Sequence, residues 1–214
     1  MNDWIRRSLF AAAAVVVGAA TASAHITPPV VLVSDRDALV ELLAGARRFF
    51  VREVRLSSQE RAAIKTRTSW APDEELLRFY LGRDGEGRLV SAATFVTEYT
   101  VHGPVRVAVA LGADGRVRGA TVVELTEETY GWVKPLLDRD FTRRFAGQPA
   151  GARLAPPAGL NEMSHFYAEV IASLVQRAAL LFDVAVLQRG EAARGGGPRF
   201  RPEAVWYTEA TEDQ

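Results

Sequence analysis

The side chains best suited to chemistry lie in two short stretches, ELTEETYGWV (124–133) and NEMSHFYAE (161–169). The first follows an alternating, strand-like run, and the second opens a long helix-like run. A strand exit and a helix start that come together form a cleft in which backbone N–H groups face an anion. Tyr130 and Trp132 could then form the walls of a pocket for a flat aromatic ligand. They could equally fill the core, and the sequence leaves both possibilities open.

Other patterns for catalysis or metal binding are weak. Without cysteine, the chain has no disulfides, thiolate catalysis or iron–sulfur clusters. There is no nucleophile elbow, G-x-G-x-x-G motif or P-loop. Glu162, His165 and Glu169 share one helical face, but a di-iron site needs a second such helix, so we interpret them as a solvated face. We predict no catalytic residue and no metal site, and a copper site at His25 is an alternative that needs His102 or His165 nearby.

The N-terminal residues predict export from the cytoplasm. Arg6 and Arg7 precede an apolar run over 9–20, and Ala22-Ser23-Ala24 is a small-residue cleavage site. We therefore expect a signal peptide over 1–24, cleaved near Ala24, and a periplasmic protein. An uncleaved membrane anchor is the alternative, although the apolar run is shorter than the ~20 residues of a membrane span. The formal net charge of zero gives no reason to expect nucleic-acid binding.

The remaining chain predicts an α+β fold. An N-terminal segment over 25–75 holds short helices, the first with Ser34 as its cap and Gly45 at its close. From 76 to 125 the pattern has period two and predicts a meander of about four antiparallel strands. We expect a helix from Lys134 to Phe145 and a flexible tail over 190–214.

The longest predicted element is a C-terminal helix with Asn161 as its cap. Its apolar positions recur at helical spacing, which predicts that it covers one face of a curled antiparallel sheet. Those positions are Met163, Phe166, Tyr167, Val170, Ile171, Leu174, Val175, Ala178, Leu181 and Phe182.

Three segments occur in an order that points to a family. They are GRVRGATV (115–122), ETYG (128–131) and FAGQ (145–148). In this order and spacing they resemble the bacterial FMN-binding domain. That domain occurs in the C subunit of the sodium-pumping NADH:quinone oxidoreductase, in the G subunit of the Rnf complex and in soluble periplasmic electron-transfer proteins. The resemblance covers 105–187, and it implies a domain over 76–189 that binds FMN.

The family's fourth segment, an S-G-A-T motif whose threonine carries the flavin, is degenerate here. Aligning Ser164 with its serine places His165 on glycine, Phe166 on alanine and Tyr167 on the acceptor threonine. The resemblance thus implies that any FMN is bound without a covalent link. It also implies a ring site near 129–131 and a phosphate site at Ser164 and His165. The full expected set is Glu128, Thr129, Tyr130, Gly131, Ser164, His165 and Tyr167.

Two functional hypotheses follow from the resemblance. In the first, the protein carries electrons on FMN to a redox partner protein at the membrane or in the periplasm, and has no substrate of its own. In the second, it is a cofactor-free relative that serves as an accessory or assembly protein of such a redox complex. The second is the alternative, and it is motivated by the bulky Phe166 and Tyr167 and by Trp206 and Tyr207 in the tail, which offer a docking peptide. Of the two, the resemblance favours the first.

Overall fold

The structure is a computed structural model that describes residues 28–68, 70–73, 76–149, 151–152, 154–190 and 199. It confirms the α+β class, with an antiparallel sheet against a long C-terminal helix and short helices in the N-terminal segment. The predicted signal peptide, His25, and the tail residues Trp206 and Tyr207 lie outside the described residues.

The sheet has six strands in the spatial order β1-β6-β5-β4-β3-β2, and every neighbouring pair is antiparallel. The predicted four-strand meander is confirmed as β3 to β6, and two N-terminal strands extend it at its edges. The strands are β1 (Pro29–Val31), β2 (Arg48–Val54), β3 (Leu77–Arg83), β4 (Leu89–Thr100), β5 (Gly103–Leu111) and β6 (Val117–Thr126).

Two helices begin at the caps that the sequence predicts. Ser34 accepts the Asp37 N–H at 3.1 Å, and Asn161 Oδ1 accepts the Ser164 N–H at 2.7 Å. The helices are α1 (Asp35–Leu42), α2 (Ser58–Thr68), α3 (Glu127–Leu137) and α4 (Glu162–Phe182), with a 3-10 helix (Phe141–Phe145) after α3 and a π-helical turn (Asp183–Leu187) after α4.

The prediction of a helix from Lys134 to Phe145 was wrong at both ends. A reciprocal cap between Thr126 and Thr129 starts α3 directly at the end of β6, without an intervening loop. The helix ends at Leu137, and Asp140 takes a left-handed backbone conformation (φ 51°) before the 3-10 helix. Gly131, one of the expected ring-site residues, consequently lies inside α3.

Helices cover both faces of the sheet. On one face, α1 packs closely through Leu39 and Leu42 because the facing strands carry Ala93, Ala108 and Ala110. On the other face lie α4, α3, the 3-10 helix and Ile64 of α2, which form the larger core. The run Glu162–Leu187 is long and apolar enough to span a membrane, but most of it is buried inside the protein, as expected for a core helix.

Candidate functional site

The two stretches singled out in the sequence lie together in the structure. Helix α3 packs beside α4, so the end of β6 and the first turns of α4 face each other across one end of the sheet. The β4–β5 hairpin joins them, because the Tyr167 hydroxyl lies 3.3 Å from Thr100 Oγ1. The predicted convergence of strand exit and helix start is therefore present.

Aromatic side chains fill the space between these elements. Tyr167 has no exposed area, and its ring stacks on that of Trp132 with centroids 5.8 Å apart and planes at 16°. His102 packs against Trp132 at 4.8 Å, and Phe166 against Tyr167 at 5.2 Å, both edge to face. These four residues, the aromatic row, run continuously from the β4–β5 turn to the first turns of α4.

The spacing within the row decides whether a flavin ring could enter it. Stacked planar groups approach to about 3.5 Å, so a third ring between Trp132 and Tyr167 would need them about 7 Å apart. Their centroids are 5.8 Å apart. Trp132 and Tyr167 thus fill the space between α3 and α4 and leave no room for a third ring between them.

The predicted ring-binding residues of α3 are engaged elsewhere. The Thr129 hydroxyl is buried and belongs to the helix cap, accepting the Thr126 N–H at 3.1 Å. Glu128 is exposed and binds His102 Nδ1 through Oε1 at 2.9 Å. Tyr130 is half-buried against the core, and Gly131 lies on the exposed side of α3.

The predicted phosphate-binding residues of α4 point in different directions. Ser164 is buried, and among the described residues its Oγ has no hydrogen-bond partner. His165 lies on the exposed face and contacts Glu169 at 3.5 Å, which confirms the solvated face that we expected there. Phe166 is 43% exposed, so the prediction that it points into the sheet beside Tyr167 was wrong. Successive helical side chains diverge by about 100°, so that of the two neighbours Phe166 and Tyr167 only Tyr167 faces the core.

The Tyr167 hydroxyl donates a hydrogen bond to Thr100. Thr100 Oγ1 gives its proton to Gly103 O at 2.8 Å, so it accepts the proton of Tyr167. Burial raises the pKa of Tyr167 above its ordinary value, and the charge of Glu128 acts in the same direction. The phenol therefore stays neutral and structural.

An open depression of about 920 Å³ lies beside the aromatic row, at the start of α3. Its lining includes the turn residues Val101 and His102 and the two carboxylates Glu127 and Glu128. The Thr129 N–H of the first turn is already capped by Thr126 Oγ1 at 3.3 Å. The two carboxylates repel a phosphate dianion at this position, and the N–H group of Thr129 is not free to bind one.

Sequence reasoning missed the importance of the β4–β5 turn. We considered His102 only as a metal ligand beside His25, whereas it binds Glu128 and packs on Trp132. The available signal was the short VHG segment between two alternating runs, which marks a tight hairpin turn. Among the described residues, no group of three or more His, Asp or Glu side chains could hold a metal ion.

Comparisons with known proteins do not add a family to these observations. No protein-family model matches the sequence, and no curated protein matches it.

Proposed function

We propose that this chain is a cofactor-free docking protein that binds a partner protein through the tip of its β4–β5 hairpin. The observation that carries the proposal is the exposure of large apolar side chains at this tip. Val101 is 95% exposed and Tyr99 is 81% exposed, and the half-exposed Phe166 lies at the same end of the molecule. Apolar side chains clustered in this way are typical of a protein interaction site.

The tip is held rigidly in place. Thr100 Oγ1 donates to Gly103 O at 2.8 Å and accepts the His102 N–H at 3.2 Å. Thr126 Oγ1 donates to His102 O at 2.8 Å, which ties the turn to the start of α3. The aromatic row also contacts the base of the tip, because the Tyr167 hydroxyl is hydrogen-bonded to Thr100. A preorganised apolar tip loses little conformational entropy on binding, and this supports a docking role.

The charges beside the tip indicate the kind of partner. Glu127 and Glu128 line the depression next to Val101. Carboxylates at this position oppose binding to an anionic lipid surface. They complement a protein surface in which an apolar recess has arginine or lysine at its rim. The resemblance described above places such a partner in a redox complex of the membrane or periplasm.

Electron transfer on FMN is the second candidate, and the family resemblance is its support. An isoalloxazine between Trp132 and Tyr167 would require the aromatic row to open, because the two rings leave no room for a third between them. One experiment distinguishes the two candidates: the colour, the mass and the FMN uptake of protein exported to a periplasm that contains the flavin transferase. A colourless protein with the mass of the unmodified chain, which takes up no added FMN, agrees with the docking proposal. Yellow protein contradicts its cofactor-free part.

The docking surface is tested by site-specific photo-crosslinking in the native cell. A crosslinking residue at position 101 should capture one defined partner. The same residue at position 40, where an exposed valine lies on α1, should not capture it. The double variant Tyr99→Ser and Val101→Ser should then lose binding to that purified partner, while Val40→Ser keeps it. Equal capture from both positions, or full binding by the double variant, would contradict docking through the tip.

A further inference from the structure

The sheet divides between β3 and β4. The two strands pair from Tyr80 opposite Ala93 to Arg83 opposite Leu89, but not beyond Tyr80 in the other direction. Both strands continue past this point: β3 begins at Leu77 and stays paired with β2, and β4 extends to Thr100 and stays paired with β5. The sheet therefore has a fork, bounded by 77–79 on one side and 94–96 on the other.

A side chain occupies the point at which the fork opens. Thr94 Oγ1 donates to the Arg78 carbonyl at 2.9 Å, so a side-chain contact replaces the regular backbone ladder. The backbone edges beyond this contact are not paired with each other, and such edges carry hydrogen-bonding groups. A molecule that enters the fork thus meets backbone donors and acceptors.

The fork opens into a cavity of about 240 Å³. On one side stands Trp70, with the Arg177 guanidinium 4.9 Å from its ring centre. On another side Tyr80 and Phe95 pack edge to face at 5.9 Å. Leucine and valine side chains complete the lining, which includes Leu76, Leu77, Val96, Leu174 and Leu181. The walls are therefore aromatic and aliphatic, with flat surfaces suited to a planar ligand.

Three arginines also line the cavity, and each is paired with a carboxylate. Their partners are Glu53 for Arg78, Asp35 for Arg106 and Glu98 for Arg177. Because the positive charges are balanced within the protein, an anionic ligand would have to displace an existing ion pair. The charge balance favours an uncharged ligand.

We propose that the fork binds an uncharged, planar aromatic molecule with at least one hydrogen-bonding group. Its size follows from the volume: a cavity of about 150 Å³ takes benzene, so 240 Å³ suits a bicyclic ring of about ten heavy atoms. The site lies between β3, β4 and α4, and none of its lining residues belongs to the hairpin turn or the aromatic row. It is independent of the proposed docking function.

Calorimetric titration of the exported, full-length protein with indole tests the proposal. Indole should bind at one site per chain, and the anionic analogue indole-3-acetate should bind at least about tenfold more weakly. No saturable heat with indole would overturn the site. Tighter binding of indole-3-acetate would overturn the conclusion that the ligand is uncharged.

Variants that fill the cavity locate the binding. Leu76 lines the cavity and is 42% exposed, so Leu76→Trp can fill the opening while the core stays intact. Affinity for indole should fall by about tenfold or more. The matched control Val40→Trp adds the same ring at a similarly exposed position on α1 and should leave affinity unchanged. Val96→Phe fills the cavity from β4, and it replaces Leu76→Trp in this test if that variant does not fold. Unchanged affinity in a folded filling variant would place the binding elsewhere and overturn the proposal.

Discussion

The rings of Trp132 and Tyr167 stack between α3 and α4, with centroids 5.8 Å apart and an angle of 16° between their planes. This contact joins two segments that the sequence already suggested would converge. It also fills the space between the two helices with protein side chains. Because Tyr167 is fully buried, its ring contributes to stability by packing.

Removing the Tyr167 ring should therefore be costly. Tyr167→Ala leaves a cavity beside Trp132 and should lower the free energy of unfolding by about 3–5 kcal/mol. Tyr167→Phe keeps the ring and loses only the hydrogen bond to Thr100, so about 1 kcal/mol is expected. Phe166→Ala, at the neighbouring half-exposed position, is the control and should change stability by about 1 kcal/mol or less. Urea unfolding measures all three, and equal losses at 166 and 167 would contradict this assignment of faces.

Two buried serines give a second test. Ser164 Oγ has no partner among the described residues, whereas Ser91 Oγ donates to the Leu42 carbonyl at 3.3 Å. Ser164→Ala removes an unsatisfied hydroxyl from a helix and should be neutral or stabilising by up to about 1 kcal/mol. Ser91→Ala breaks a hydrogen bond and should destabilise by about 1 kcal/mol. A marked loss of stability in Ser164→Ala would mean that its hydroxyl has a partner, such as a bound ligand or water.

Much of the fold could be predicted because its signals are local. Period-two alternation identified β3 to β6, and the caps Ser34 and Asn161 marked two helix starts. The start of α3 gave no such signal. Its reciprocal cap uses threonine at both positions, and the preceding strand runs into it without a loop. The fork in the sheet could not be predicted either, since it depends on which strand residues pair across the sheet.

The convergence of the two segments was predictable, but the arrangement of side chains between them was not. Strand exit and helix start converge as the order of elements suggested. Whether Phe166 or Tyr167 turns inward depends on the rotation of α4 about its axis, which the breadth of its apolar stripe leaves undetermined. The exposed hairpin tip was missed for a similar reason, because Tyr99 and Val101 alternate within the strand pattern like residues of a core.

The β4–β5 turn should not tolerate a side chain at Gly103. Its φ is +103°, and a Cβ there would lie 2.3 Å from Thr126 Cγ2, a residue fixed by the cap of α3. Gly103→Ala should destabilise by about 3 kcal/mol and deform the docking tip. Gly147→Ala is the matched control: its φ is +79°, but nothing lies within 4 Å of its Cβ, so only the backbone cost of about 1–2 kcal/mol applies. Thermal unfolding compares them, and equal losses would argue against a steric clash at Gly103.

The ion pair between Glu60 of α2 and Arg189, which follows the π-helical turn, should make the stability of the protein sensitive to acid. Arg189 binds both Glu60 oxygens, at 2.7 and 2.5 Å, and lowers the pKa of Glu60 from 4.5 to about 2. The unfolded chain therefore binds a proton at higher pH than the folded one does. The stabilisation is fully present above pH 4.5 and is lost as the pH falls towards about 2.

The variant Glu60→Gln isolates this effect. It should be less stable than the wild type at about pH 5, and the difference should shrink at about pH 3, because Glu60 is then protonated in the unfolded chain while it is still largely ionised in the folded protein. The urea midpoint at each pH is the measurement. Glu41→Gln, which removes an exposed carboxylate from α1, controls for the loss of one charge and should show no such convergence. If the difference between wild type and Glu60→Gln stays constant with pH, the Arg189 contact does not set the acid sensitivity of this fold.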